Sequence, residues 1–352
     1  MTIKLPAVSV IITNYNYEQY VRDAIQSVVA QDYPNFECVI VDDASTDRSF
    51  ELIMEYLNQL DDERFRCLRL GKNSGQMAAF KAGLENTTGQ FVGFLDADDL
   101  YFPDFITKHI EAHLNRSFSA GFTGCDTIQI SENSEILEST FHTLLKQNRG
   151  TNNPGHVQPI SESNTAKLTD HNLPIATKEL TQLAFVHRDF DGWHWSATSS
   201  IMFRRDLLEL ILPDKPHSIR LCADYYLMLF CQKLTGSVTI STAHAAYRLH
   251  RKNGLANNAR VGGTYRTGFF SDEKRISIEH AIARHCIKNY HSLSEVFGLD
   301  ILARIVLRYL PEHLVYQETK SAKPLWQHIS RRPRQWFDYA IGAPLVGVIL
   351  RK

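Results

Sequence analysis

Gly89-Gln-Phe-Val-Gly-Phe-Leu-Asp-Ala-Asp-Asp-Leu100 reads as an apolar strand that ends abruptly in three carboxylates, Asp96, Asp98 and Asp99. Successive strand residues alternate faces, so Asp96 and Asp98 share one. Paired acidic oxygens at the carboxyl end of a buried strand suit a hard divalent cation that also binds phosphate oxygens. Such a site would hold a nucleotide diphosphate and leave the attached group open to attack. The plain alternative is a turn and a helix cap, which suffices for Asp99 or Asp104, just ahead of a helix-like stretch. For Asp96 and Asp98 the residues upstream favour function.

Those upstream residues alternate strand and helix with little padding. Ala7 to Thr13 is nearly all apolar, as expected of a strand buried on both faces. Glu18 to Gln31 then places Val21, Ala24, Ile25, Val28 and Val29 on one helical stripe. Cys38 to Val41 is a second strand, ending at Asp42-Asp43, and Ser45, Thr46 and Asp47 can cap the helix that follows. Phe65 to Leu70 reads as a third strand, Gln76 to Glu85 as a third helix and Phe91 to Leu95 as a fourth strand. Repeated β-α-β order predicts a mostly parallel, Rossmann-like sheet with helices on its faces. Ligands of such sheets bind beyond the carboxyl ends of the strands. Thr13-Asn14-Tyr15, Asp42-Asp43 and Asp96-Ala97-Asp98 all fall at that rim.

What the rim binds is narrowed by what is missing. No G-x-G-x-x-G follows the first strand and there is no P-loop lysine signature. Pyrophosphate would therefore be neutralised by a metal held on Asp98. A carboxylate at Asp43 could accept a hydrogen bond from a base imide nitrogen, as in uracil, and Tyr15 could stack on the base. Singly, a tyrosine after a strand is more often packing and a D-D pair more often a turn. Jointly, at one sheet edge, they favour a nucleotide.

Composition bounds the rest. The chain has 352 residues, 43% hydrophobic and 22% charged, which suits a soluble globular protein with one large core and a smaller appendage. A net charge of −1 argues against a general nucleic-acid binder. Six cysteines form no C-x-x-C pair, and several sit in apolar runs, so reduced core thiols are expected. No cleavable signal is read at the start and no uninterrupted apolar run would span a bilayer, so the expected location is cytoplasmic.

Val8-Ser-Val-Ile-Ile-Thr-Asn-Tyr-Asn16, Ser27-Val-Val-Ala-Gln-Asp-Tyr33 and Val41-Asp-Asp-Ala-Ser-Thr-Asp47 resemble the opening of the family 2 glycosyltransferases, inverting enzymes of the GT-A fold. Asn73-Ser-Gly-Gln-Met-Ala-Ala79 and Leu95-Asp-Ala-Asp-Asp99 continue the match in order and spacing. The resemblance is dense over residues 6–116 and resumes over about 196–254. It implies that Thr13, Tyr15 and Asp43 hold the base, that Asp96 contacts the ribose, and that Asp98 holds Mg²⁺ or Mn²⁺. Many relatives carry an arginine early in the third helix, where this chain has Phe80-Lys81. Lys81 could meet the diphosphate, although a solvent-facing helix lysine explains it equally well.

In the second half, Ala223-Asp-Tyr-Tyr-Leu-Met-Leu-Phe230 opens a helix with Asp224 in its first turn. The helix dipole alone favours a carboxylate there. Relatives, however, have an acidic residue at this point, followed by a helix, a glycine turn and a strand, matched here by Gly236, Ser237 to Ser241 and Tyr247-Arg-Leu-His250. Inversion needs one base to take the proton of the attacking hydroxyl, and Asp224 is the candidate. His250 either completes the metal shell, binds a phosphate oxygen or is structural. Arg248 is a phosphate contact or a salt-bridge partner. Trp193 and Trp195 precede an apolar strand and serve either as an acceptor platform or as core.

Residues 146–178 are rich in Asn, Thr, Ser, Pro and Lys and read as a long mobile loop, an acceptor-covering lid or an inert excursion. After Ser271 the chain turns helical. Arg331-Arg332-Pro-Arg334 precedes Trp336-Phe337 and an apolar run, Ala340 to Leu350, suited to an anionic membrane interface, to packing on the domain or to a dimer contact. The expected organisation is a GT-A-type α/β domain over residues 1–255, with a donor half at 1–125 and an acceptor half at 126–255, and a helical C-terminal region over 256–352. The expected activity is transfer of a sugar from a nucleotide-sugar donor, with UDP the first choice, to a carbohydrate or lipid-linked hydroxyl acceptor in polysaccharide or glycoconjugate biosynthesis. Two alternatives stand beside it. A sugar nucleotidyltransferase normally has a glycine-rich turn where this chain reads Thr13 to Asn16, and a non-catalytic scaffold on a decayed transferase fold would not need Asp43, Asp96, Asp98 and Asp224 intact.

Overall fold

The computed structural model describes residues 4–138, 157–160, 183–190, 192–251, 253 and 271–330. The chain opens with β1 (Val8–Asn14), α1 (Val21–Val29), β2 (Phe36–Asp42), α2 (Ser49–Leu60), β3 (Phe65–Arg69), α3 (Gln76–Glu85) and β4 (Phe91–Asp96). β1 is buried along its whole length and lies parallel to both β2 and β4, with β3 parallel to β2 at the edge. Alternation of side chains divides the apolar residues between two faces. Ile11, Val39, Val41, Val92 and Phe94 join one core, and Val10, Ile12, Cys38, Ile40 and Leu95 join the other. Each of these strands is therefore apolar on both sides, which is why it reads as a continuous hydrophobic run.

Beyond β4 the chain forms β5 (Leu100–Tyr101), α4 (Phe105–His113), β6 (Phe122–Ile130), β7 (Ile136–Glu138), β8 (Val157–Ile160), β9 (Leu183–Val186), β10 (Ile201–Arg204), α5 (Arg205–Ile211), α6 (Ala223–Thr235) and β11 (Ser237–Arg248). The sheet runs β3-β2-β1-β4-β10-β6-β11-β9-β8, with β5 paired to β11 and β7 to β6. The expected parallel arrangement forms the N-terminal half. β10, antiparallel to both β4 and β6, joins it to a mixed second half in which β11 is again parallel to β6. One strand interrupts the stretch read as a long loop over 146–178: Val157–Ile160 pairs antiparallel with β9 as the last strand of the sheet. An edge position tolerates Pro159, whose nitrogen has no proton to give to a second neighbour. The rest of that stretch lies outside the described residues.

Among the described residues five helices follow: α7 (Asp272–Lys288), α8 (Tyr290–Phe297), α9 (Leu299–Tyr309), α10 (Glu312–Thr319) and α11 (Lys323–Ser330). The Ser271 side chain accepts a hydrogen bond from Lys274 N at 3.2 Å and caps α7, with Asp272 and Glu273 in the first turn. Ile282, Leu302, Val306 and Leu325 join the same core as Tyr226 and Phe230 of α6, so this helical region shares the sheet's hydrophobic interior. Among the described residues no helix is long and apolar enough to cross a membrane. The tail from residue 331 onward, with its apolar run, lies outside them. All six cysteines are free, five of them buried.

Candidate active site

Register delivers the acidic residues to one rim. Thr13 pairs with Asp96 across β1 and β4, and Asn14 pairs with Asp42 across β1 and β2, so the strand ends are level. Of the Asp42-Asp43 pair, Asp42 turns inward. It is fully buried and accepts hydrogen bonds from Asn14 Nδ2 at 2.8 Å and from Ser45 N at 3.1 Å. Asp43 faces the β3–α3 loop, where its two oxygens accept from Ser74 N and Gly75 N at 2.7 Å each. A carboxylate has about four lone-pair sites, so acceptor capacity remains for a base. Gly75 makes that loop possible. Its φ is +90°, and a Cβ there would stand 2.8 Å from the Arg220 backbone, which passes close enough for Gln76 N to bond Arg220 O at 3.0 Å. Tyr15, next along from the β1 end, is 40% exposed, as a stacking surface requires.

The carboxylates beyond β4 divide into working and supporting groups. Asp99 is buried, accepting from Ser199 Oγ at 2.6 Å and Arg248 N at 2.9 Å. It ties the Asp96–Asp99 turn to the end of β11, which is the turn role allowed for it from sequence. Arg248 is buried too: Nε donates to Asp98 O at 2.9 Å, Nη1 to Glu132 O at 3.1 Å and to Ser134 Oγ at 2.9 Å, and Nη2 pairs with Asp23 at 3.3 Å. Of its two expected roles, the salt-bridge partner is the one the structure forms.

Asp96 and Asp98 keep faces toward the rim. Asp96 Oδ1 accepts from Thr13 Oγ1 at 3.2 Å and from Gln76 Nε2 at 3.4 Å. Asp98 Oδ2 lies 2.8 Å from His250 Nε2 and accepts from Asn253 Nδ2 at 3.4 Å. His250 Nε2 therefore points at the carboxylate cluster, with Tyr17 and Tyr20 packed against its ring. Asp224 lies in the first turn of α6, as its sequence context required, and Thr198 donates to it. Gln76 links the two halves, because its Oε1 accepts from Ala223 N at 3.1 Å while its Nε2 reaches Asp96.

Electrostatics marks the cluster as short of positive charge. Burial, then the charges of Asp98 and Asp224, push Asp96 up to about 7. Burial lifts Asp99 well above the carboxylate range, with Asp98 and Asp96 adding to it, and burial also raises Asp224. The charge of Asp98 is the first cause that raises the Tyr17 phenol. Among the described residues no three His, Cys, Asp or Glu side chains form a ready-made metal cage. Asp98 and His250 nevertheless fit a hard ion that takes the rest of its shell from phosphate and water, and such an ion would relieve the crowded negative charge.

That charge pattern predicts a pH dependence. Carboxyls raised in the native state bind protons that the unfolded chain has already released. Without metal, the stability they contribute is complete below about 4 and is lost as pH rises through about 7, the position of Asp96. Burial holds His109, His113 and His285 neutral, and these give the opposite slope over the same interval. The carboxylate contribution is therefore read as a difference: the metal-free melting temperature of wild type relative to Asp96→Asn should fall from about pH 4 to 7, and Mn²⁺ should shrink that fall. A difference that rises with pH would contradict the crowding.

Two alternatives left open by the sequence are narrowed by the packing. Lys81 is not drawn toward the carboxylates. It pairs with Glu85 at 2.7 Å, one turn along α3, and lines a cleft of about 560 Å³ with Leu70, Ser74 and His217. The intrahelical partner is four residues away, where helix geometry puts neighbours. Trp195 is core, 1% exposed with Nε1 donating to Ser237 Oγ at 3.0 Å, whereas Trp193 is only partly buried. The supporting residues Gln76, Thr198, Ser199 and Asn253 were not singled out from sequence. Gln76 lies in the quoted motif Asn73 to Ala79, and Thr198 and Ser199 lie in the polar run Ser196-Ala-Thr-Ser-Ser200, which reads equally as a loop.

The family model described as glycosyl transferase family 2 matches residues 9–175. An uncharacterized glycosyltransferase of Nostoc sp. is 30% identical over 247 residues, covering 70% of this chain and 66% of the relative. TuaG of Bacillus subtilis, a putative teichuronic acid biosynthesis glycosyltransferase, is 40% identical over 124 residues, covering 35% of this chain and 48% of the relative. The chain thus spans about half to two thirds of these relatives' length. Among solved structures, Staphylococcus aureus TarS 1-349 in complex with UDP-GlcNAc superimposes with a TM-score of 0.50 at 18% identity, covering 95% of this chain and 81% of that one. This likeness shows the shared fold.

Proposed function

The chain belongs to glycosyl transferase family 2, and from that premise we propose that it transfers a sugar from a nucleotide diphosphate donor to a hydroxyl acceptor with inversion. The observation that carries the reading is the convergence of Asp96, Asp98 and Asp224, from two halves of the chain, on one rim, tied through Gln76. UDP is the proposed nucleotide. Asp43 accepts from the base, Tyr15 stacks on it, Thr13 lines its pocket and Asp96 holds the ribose. The UDP-GlcNAc complex of TarS, which shares the fold, is consistent with this choice.

Asp98 and His250 would hold Mg²⁺ or Mn²⁺, which when bound stabilises the departing diphosphate. Asp98 is steadied for this by Asn253 and by Arg248, which fixes its backbone carbonyl. Asp224 takes the proton of the acceptor hydroxyl as its oxygen attacks the anomeric carbon. Its raised affinity for protons suits a base that must accept one near neutral pH. Thr198 holds the carboxylate in place while the charge moves. The product is proposed to be a polysaccharide or glycoconjugate, made from the cytoplasmic side.

The test is a screen of UDP-, GDP- and dTDP-sugars with Mn²⁺. Metal-dependent release of free sugar from a UDP-sugar supports the transferase. Pyrophosphate release from UTP with a sugar phosphate would make it a nucleotidyltransferase, and no turnover of any donor would make it a scaffold. Peripheral membrane contact through residues 336–352 is part of the same proposal. Their deletion should free the protein from anionic liposomes with UDP binding intact, and wild-type protein that never sediments with such liposomes would end that idea.

A further inference from the structure

We propose that Trp193 and Tyr225 form a carbohydrate-stacking platform beside the base, so that the acceptor presents a pyranose ring at this point. This deepens the transferase reading above and rests on it. The two rings are nearly parallel, 13° apart with centroids separated by 5.4 Å, and neither is fully buried. Tyr225 directly follows Asp224 in the first turn of α6, and although consecutive helix residues do not face each other, both meet the segment from Trp193 to Thr198.

The far end of the platform is fixed by the same segment that fixes the carboxylates. Within residues 193–199, Trp193 meets Tyr225, Thr198 donates to Asp224, and Ser199 Oγ bonds both Asp99 and the Asp96 nitrogen, the latter at 3.1 Å. Platform and chemistry are thereby held in one register. Trp195, two residues on, fills the core with its indole nitrogen satisfied, and Trp193 packs edge-on against it at 5.5 Å while remaining only partly buried.

The surroundings favour a sugar over a lipid chain. The Tyr225 hydroxyl lies 3.5 Å from Glu279 Oε1, and Glu279 is bridged by Arg275 at 3.0 Å, both from α7. An aromatic face bordered by a carboxylate and a guanidinium offers apolar contact to the C–H face of a pyranose and hydrogen-bonding groups to its hydroxyls. An aliphatic chain would cover this ion pair without offering either group a hydrogen bond.

The experiment uses the 352-residue chain with UDP and Mn²⁺ and ligand-observed saturation-transfer NMR. The probes are cellobiose, chitobiose, maltose and, as the lipid alternative, dodecyl phosphate. At least one disaccharide should receive saturation through the C–H protons of one ring face. That signal should be lost in Trp193→Leu, which keeps apolar bulk without a π face, and kept in Trp193→Phe. UDP stabilisation should be the same in all three proteins. Saturation of dodecyl phosphate alone, of no probe, or of a disaccharide equally in Trp193→Leu would overturn the platform. Wild-type protein that contacts a disaccharide but is not stabilised by UDP would instead sink the transferase reading and leave the platform standing.

Discussion

The Asp98→Asn protein should fold and yet lose metal-dependent donor binding, with UDP affinity in Mn²⁺ weakened by at least about 100-fold. An amide is a poor partner for a hard dication, and His250, the other residue proposed to hold the ion, binds a metal as a neutral imidazole. The fold should survive because the change is nearly isosteric. A side-chain carbonyl can still face Asn253, and the Arg248 bond is to the Asp98 backbone. Removing one of the crowded charges should also lower Asp96, which Asp98 holds up. Titration calorimetry of UDP with and without Mn²⁺ measures the outcome. Equal affinities in wild type and variant, under both conditions, would take Asp98 out of the site.

Asp224→Asn should separate binding from turnover. UDP and Mn²⁺ should bind nearly normally, because the carboxylate serves the acceptor proton, while transfer falls by roughly 10²–10⁴. The amide oxygen can still accept from Thr198, so the first turn of α6 keeps its local bond. Burial disfavours the Asp224 charge by more than its hydrogen bonds favour it, so a neutral amide there should cost the fold little. Under Asp98→Asn, by contrast, binding and turnover should fall together. Near wild-type transfer by Asp224→Asn would mean that another group takes the proton and that Asp224 serves the helix terminus alone.

The fold of the first hundred residues was legible because its signals are local. Continuous apolar runs marked β1, β2 and β4, a 3.6-residue stripe marked α1, and the carboxylates stood where the runs stopped. The parallel order then sent those strand ends to one rim. Asp224 was legible for the same reason, since a helix start is written in its own few residues. Less could be read from residue 126 onward, where β10 enters antiparallel between β4 and β6 and a strand at 157–160 caps the sheet. Such pairings depend on distant segments meeting, and short strands carry little periodicity.

The chemistry of the rim divides in the same way. The sequence alone determined that acidic residues, a tyrosine and a threonine gather at the ends of buried strands, since alternation and hydrophobic burial leave them no other place. It could not say which aspartate works and which supports. Asp42 and Asp43 are adjacent and alike, yet one is spent on Asn14 and Ser45 and the other on the loop after β3. Asp99 differs from Asp98 through Ser199, 100 positions away, and through Arg248, 149 positions away. Arg248 became a buried strut, Lys81 an intrahelical pair, and Trp193 parted from Trp195 by the same rule. A polar or aromatic side chain takes its role from the partners that packing brings to it, and those partners are set by tertiary structure.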